Sequence, residues 1–173
     1  TAGTMALEPL DKLTRSVRAF RKLIGIGKEF VLVHDPVTRS YHSVARASLS
    51  DTTLFNPDAQ LIGTDAFLWA VADRNASVYK LTGQQDGYSL STVGQVALPA
   101  AAAALHSEGN GLLGVDVAGV PFRLASDGTN AVYHPLIGNA LAGGDAVVDA
   151  VHKNGQVFLA RGNRVNVYDQ LAR

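Results

Sequence analysis

The strongest constraint on how this chain folds is a unit that recurs. An apolar strand, a turn and a second strand carrying an aromatic ring appear four times, at Glu29 to Ala47, Asp65 to Thr82, Gly111 to Leu124 and Gly155 to Tyr168. In DAFLWAVADRNASVYKLT, Phe67, Trp69 and Val71 alternate on one side and Val78 is apolar in the return strand. The polar Asp73 to Ser77 segment lies between them, and the whole predicts a β-hairpin.

Tyr41, Tyr79, Phe122 and Tyr168 fill the aromatic place, at spacings of 38, 43 and 46 residues. Repeats built from four strands have periods of about 40 to 50 residues. AAAALHSEG precedes the third unit and AVVDAVHKN the fourth, each an apolar run ending in a histidine, His106 or His152. Asp86-Gly87 and Asp127-Gly128 follow the second and third units as turns into a further strand. Apolar strand, Gly-led strand, aromatic strand, Asp-Gly turn and outer strand resemble the blade of a β-propeller over Glu29 to Tyr168. There is no Trp-Asp pair of the WD40 class and no double glycine of the kelch class, and SDGT at Ser126 to Thr129 matches only part of the sialidase Asp-box. The resemblance therefore implies architecture and carries no functional residues.

Ahead of the repeats, Leu10, Leu13, Val17, Phe20 and Ile24 fall at spacings of three and four, which predicts an amphipathic α-helix from Glu8 to Ile24. Pro9 suits its first turn, and Gly25 and Gly27 its end. Lys12, Arg15, Arg18, Arg21, Lys22 and Lys28 make this stretch basic although the whole chain is formally neutral. The expected organisation is thus a helix and linker over residues 1–28 and an all-β, propeller-like array of about four units over residues 29–173. The helix would either cover the open end of the β array with its basic face in water or, through Leu13, Arg15, Val17, Arg18, Phe20, Lys22 and Ile24, dock onto a neighbouring subunit.

Composition narrows the chemistry. The chain has 173 residues, 47% hydrophobic and 17% charged, enough for a core without staples. With no cysteine, disulfides, thiolate metal sites and cysteine nucleophiles are excluded. No apolar run reaches the roughly 18 residues of a membrane helix, and no secretory signal pattern is seen. A neutral total charge without aromatic interleaving disfavours nucleic acid.

The five histidines, His34, His42, His106, His134 and His152, lie in no metal-binding spacing, and His106 and His152 are expected in structural turns. Asp35, Asp51, Asp58, Asp73, Asp86, Asp127 and Asp145 read as turn residues, whereas Asp116 and Asp149 interrupt apolar strands, where a water-facing place on the other side of the pleat is expected and half-burial is the alternative. GIGK at Gly25 to Lys28 lacks the ending of a phosphate loop, ALAGGD at Ala140 to Asp145 reads as a loop, and no Gly-x-Ser-x-Gly elbow occurs. No cofactor is expected.

These features favour a non-enzymatic structural or adaptor subunit of a larger symmetric assembly, with other protein subunits as partners in a homo- or hetero-oligomer. A viral particle, specifically a bacteriophage component, is the setting expected, since the chain opens on a small residue, lacks cysteine, has little charge and leaves its repeats incomplete. The alternative is a carbohydrate- or surface-binding module, for which an exposed Trp69 would serve as a stacking platform. A hydrolase using turn carboxylates is the third reading.

Overall fold

The computed structural model describes residues 12–84, 87–136 and 145–168. Its architecture is all-β, in four antiparallel sheets whose strands follow chain order. The first sheet is β1 (Arg15–Ala19), β2 (Lys22–Ile26), β3 (Phe30–Asp35) and β4 (Ser40–Ala45). The second is β5 (Gln60–Gly63), β6 (Leu68–Ala72), β7 (Asn75–Gln84) and β8 (Gly87–Ala97). The third is β9 (Ala102–Glu108), β10 (Gly111–Asp116), β11 (Pro121–Ser126) and β12 (Ala131–Pro135). The fourth has three strands, β13 (Val147–Lys153), β14 (Gln156–Arg161) and β15 (Arg164–Tyr168). Two 3₁₀ turns, Arg46–Ser48 and Thr53–Phe55, lie between the first two sheets.

The expected N-terminal helix is not there. Its described part is the β1–β2 hairpin, and residues 15–26, assigned above to a separate unit, are half of the first sheet. Glu8 to Asp11, with Pro9 and Leu10, lie outside the described residues. Val17 and Ile24 explain the difference. Seven residues apart, they would share a helix face, but the chain reverses at Phe20-Arg21, so they are direct cross-strand partners. Phe20 and Arg21 both have φ of 58°, the left-handed conformation that a two-residue hairpin requires, and neither is the Asn or Gly that announces such a turn. The aromatic of the first repeat unit is accordingly displaced by one strand. Tyr41 lies on the fourth strand of its sheet, while Tyr79, Phe122 and Tyr168 lie on third strands.

The expected hairpin at Trp69 is present as β6–β7, with reversal at Asp73-Arg74. Three apolar clusters join the four sheets. Between the first and second lie Ile24, Ile26, Val31, Val33, Leu68 and Tyr79. Between the second and third lie Trp69, Val71, Val78, Leu112, Phe122 and Leu124. Between the third and fourth lie Ala104, Val115, Val147, Ala150, Val157 and Leu159. No fourth cluster joins the last sheet to the first among the described residues, which form an open arc. Trp69 is fully buried, and its indole donates to the Asn110 carbonyl at 3.0 Å, across the second interface.

Close backbone approach sets two of these interfaces. A Cβ at Gly63 would stand 1.8 Å from the Arg18 carbonyl oxygen, and one at Gly94 would stand 2.4 Å from the Ala131 amide. Each glycine brings neighbouring sheets together where a side chain would hold them apart.

Polar residues in the core are fastened. Asp51, between the first two sheets, accepts from Thr53 N at 2.7 Å, Ser77 Oγ at 2.5 Å, Tyr79 OH at 3.1 Å and Gln95 Nε2. Burial alone would raise its pKa, but the hydrogen bonds from Ser77, Thr53 and Gln95 outweigh it and hold the carboxyl below its ordinary value. Burial, with Asp51 alongside, pushes the Tyr79 hydroxyl well up. Asp116, expected to face water, is buried instead and closes the β10–β11 turn through the amides of Ala118 and Val120, both at 3.0 Å. Asp149 is exposed, as expected. His106 and His152 lie in strands β9 and β13 rather than in turns, with ring centroids 6.1 Å apart across the third interface. His106 Nε2–H donates to the Ala150 carbonyl at 2.5 Å. Asp86 and residues 140–144 lie outside the described residues.

Candidate interaction cleft at the hairpin tips

In a sheet wound in chain order, the first and third hairpin turns fall at the same end. In the first two sheets these are the turns after β1, β3 and β5, with the end of β7 and the start of β8 beside them. Between the sheets at this end opens a cleft of about 560 Å³ lined by Phe20, Lys22, Asp35, Asp65, Lys80 and Tyr88, among others. A second hollow of about 360 Å³ shares Asp65 and adds Arg18 and Arg21.

Its floor is rigid. Phe20 N donates to Thr64 O at 2.8 Å, and Thr64 is locked by Thr64 N to Phe67 O at 2.8 Å and Phe67 N to Thr64 Oγ1 at 3.0 Å. Asp35 accepts Val37 N at 2.9 Å on one oxygen, which sets the β3–β4 turn, and Tyr88 OH at 2.9 Å on the other. Lys22 Nζ lies 3.9 Å from that second oxygen and 5.8 Å from the Tyr88 ring centroid. His42 meets the same ring edge-on at 5.0 Å. The Tyr88 hydroxyl, more than any other neighbour, holds the Asp35 carboxyl below its ordinary pKa. Burial and Asp35 in turn raise Tyr88. Arg21 approaches Asp65 at 3.5 Å with both side chains largely exposed, a contact worth little in water.

Of the seven residues expected to dock a partner, Phe20 and Lys22 line the cleft and Arg18 the adjoining hollow. The others do not reach it. Arg15 directs its guanidinium to the carbonyls of Ala59 at 2.5 Å, Asn56 at 2.8 Å and Leu54 at 3.2 Å. Ile24 is buried in the first core with Val17 packed against it, and Leu13 lies over Gly25. Asp35, Asp65, Lys80 and Tyr88 are site residues that the sequence did not single out. The only signal was the reading of Asp35 as a turn residue, because Tyr88 comes from another sheet.

Chemically the cleft offers fixed charge and an aromatic edge. Arg18, Arg21, Lys22 and Lys80 outnumber Asp35 and Asp65, and Asp35 is already engaged. Among the described residues no three His, Asp or Glu side chains gather to hold a metal ion, and no helix is long and apolar enough to cross a membrane.

No protein-family model matches this chain, and no curated protein matches it. Among solved structures, the WD40 domain of SCAP from fission yeast is similar over 91% of this chain and 39% of that one, with 15% identity and a TM-score of 0.59. The computationally designed Ika4 protein is matched over 91% of both chains at 16% identity, with a TM-score of 0.47. Together with the four chain-ordered sheets, the first likeness shows the β-propeller fold expected from the repeats. This chain spans about two fifths of the WD40 domain it matches.

Proposed function

We propose that the chain is a non-enzymatic protein-interaction module, a structural or adaptor subunit that takes an acidic segment of a partner protein into the cleft between its first two sheets. The observation that carries this is the cationic rim of Arg18, Arg21, Lys22 and Lys80 around Phe20, set on hairpin tips tied together by the Phe20–Thr64 hydrogen bond. Rigid loop clusters on a repeated β scaffold suit recognition, because little conformational entropy is lost on binding. Propellers of the WD40 type commonly serve protein association, which agrees with this reading. A hydrolytic general acid would need a raised carboxyl pKa, whereas Asp35 is shifted the opposite way. The buried Trp69 offers no ring to a sugar, and no feature of the structure supports a virion setting.

Fluorescence anisotropy with a labelled dodecapeptide of Asp, Glu and Leu, against the same peptide with Lys replacing the acids, tests the proposal. The acidic peptide should bind, its affinity should fall as salt rises, and Arg21→Glu with Lys80→Glu should weaken binding at least about tenfold. Equal binding of the basic peptide, or indifference to the double charge reversal, would overturn it.

A further inference from the structure

The fourth sheet buries one face and exposes the other. Val157 and Leu159 lie in the cluster shared with the third sheet. On the opposite face, Val151 pairs with Phe158 and Phe158 with Val167, while Ala160 pairs with Val165. Val151 is 47% exposed, Val167 51% and Val165 68%. Such a row is not a solvent face by pattern. In the second sheet the corresponding row, Ile62 beside Trp69 beside Val78, faces the next sheet, and Trp69 and Val78 are completely buried there. The fourth sheet thus presents the surface that elsewhere in this molecule receives a following sheet.

At the other end of the arc, the outward face of the first sheet is covered at its middle, where Leu32 is 4% exposed and Leu13 lies over Gly25, and is open along one row among the described residues. Ile24 and Val33 point to the second sheet. Their neighbours Leu23 and His34 form a row with Tyr41 on the other side, where Leu23 is 52% exposed and the His34 and Tyr41 rings meet at a tilt with centroids 4.7 Å apart. Arg18 begins this row as the partner of Leu23.

We infer that the occupant of both faces is a second copy of this chain, joined head to tail. The fourth sheet of each copy receives the first sheet of the other, and two arcs close one ring of eight sheets. Size is what selects a second copy. Most of this chain matches 39% of a WD40 domain, so two such arcs together fit within the length of that domain. The contact is heterologous, and two of them close the ring with twofold symmetry, leaving neither terminal sheet face open. Both contacts repeat a geometry the chain already uses at its three internal interfaces.

Light scattering after size exclusion on the full chain, over a concentration series, is the test. The expected mass is twice the 18.2 kDa of one chain. Val165→Lys with Val167→Lys should raise the dimer dissociation constant at least about tenfold, and so should Leu23→Glu, because either change puts charge into an apolar, desolvated interface. All three positions are exposed in the single chain, so each variant should keep its far-ultraviolet circular dichroism. Mixing the two variants should restore association, since the mixed pair retains one intact contact. A monomer at every concentration, a mass that grows beyond two chains, or a dimer broken by the valine variant but indifferent to Leu23→Glu would each overturn the inference. The last result would mean that fourth sheets pair with each other.

Discussion

The amide of Phe20 donates to the carbonyl of Thr64 at 2.8 Å, so the tip of the first hairpin is tied to the second sheet by backbone alone. The hairpin reaches that position only because Phe20 and Arg21 both take positive φ. Two non-glycine residues thus hold a conformation that L-amino acids disfavour, and the geometry of the cleft depends on them.

Arg21→Gly should therefore stabilise the protein. The left-handed conformation costs a residue with a side chain about 1 kcal/mol or more, and the added freedom of glycine in the unfolded chain takes back part of the gain. A net increase of about 0.5 kcal/mol is expected, seen as a higher urea midpoint at unchanged slope. Lower or unchanged stability would show that the arginine stem contributes more than its backbone costs.

Gly63→Ala should act in the opposite direction. Its Cβ would meet the Arg18 carbonyl, part of a paired strand that cannot move by itself, and a loss of about 2 kcal/mol or more is expected from forcing the first two sheets apart. Gly87→Ala is the control, since nothing lies within 4 Å of its added carbon and its φ is ordinary. That variant should stay within about 0.5 kcal/mol of the parent. Urea unfolding of both variants checks the pair.

Asp51→Asn should cost about 1–3 kcal/mol, because one acceptor oxygen becomes a donor among groups that already donate. The folded carboxyl has a lowered pKa, so its contribution is fully present above the ordinary value of 3.8 and is lost as pH falls below it through the folded value. The variant should show a shallower decline of stability below pH 3.8 than the parent.

His152 should make the fourth sheet acid-sensitive at a milder pH. Both of its ring nitrogens are buried without a hydrogen-bond partner among the described residues. Burial foremost, then electrostatic repulsion from the neighbouring His106, lowers its pKa from 6.5; Glu108 opposes this and Arg123 adds to it. The unfolded chain therefore binds this proton first, and stability falls as pH drops below 6.5 towards the folded value. His152→Phe should flatten that part of the stability profile, measured by urea unfolding between about pH 7 and pH 5. An unchanged slope would place the sensitivity elsewhere.

What the sequence made legible was whatever repeats locally. The Trp69 hairpin, the Asp127-Gly128 turn and the third-strand aromatics are contiguous patterns, and all three are present in the structure. The first hairpin was not legible, since Val17 and Ile24 satisfy helical and cross-strand spacing equally and Phe20-Arg21 hides the turn. Strand alternation in RSVRA was the available correction. The cleft was less legible still. Lys22 and Asp35 come from the first sheet and Asp65, Lys80 and Tyr88 from the second, and no local spacing encodes a meeting across sheets.

In a single chain without its second copy, the open arc also sets an order of melting. A sheet inside the array rests on two neighbours, while the fourth rests on one, through a cluster of small residues such as Ala104, Val115 and Ala150. Free energy in such an array accumulates from one interface to the next, so its ends open before its middle. Trp69 lies between the second and third sheets and is the sole tryptophan. Its fluorescence would report a cooperative, late transition while amides in β13 to β15 had already begun to exchange with solvent, so the two probes should disagree about when this protein unfolds.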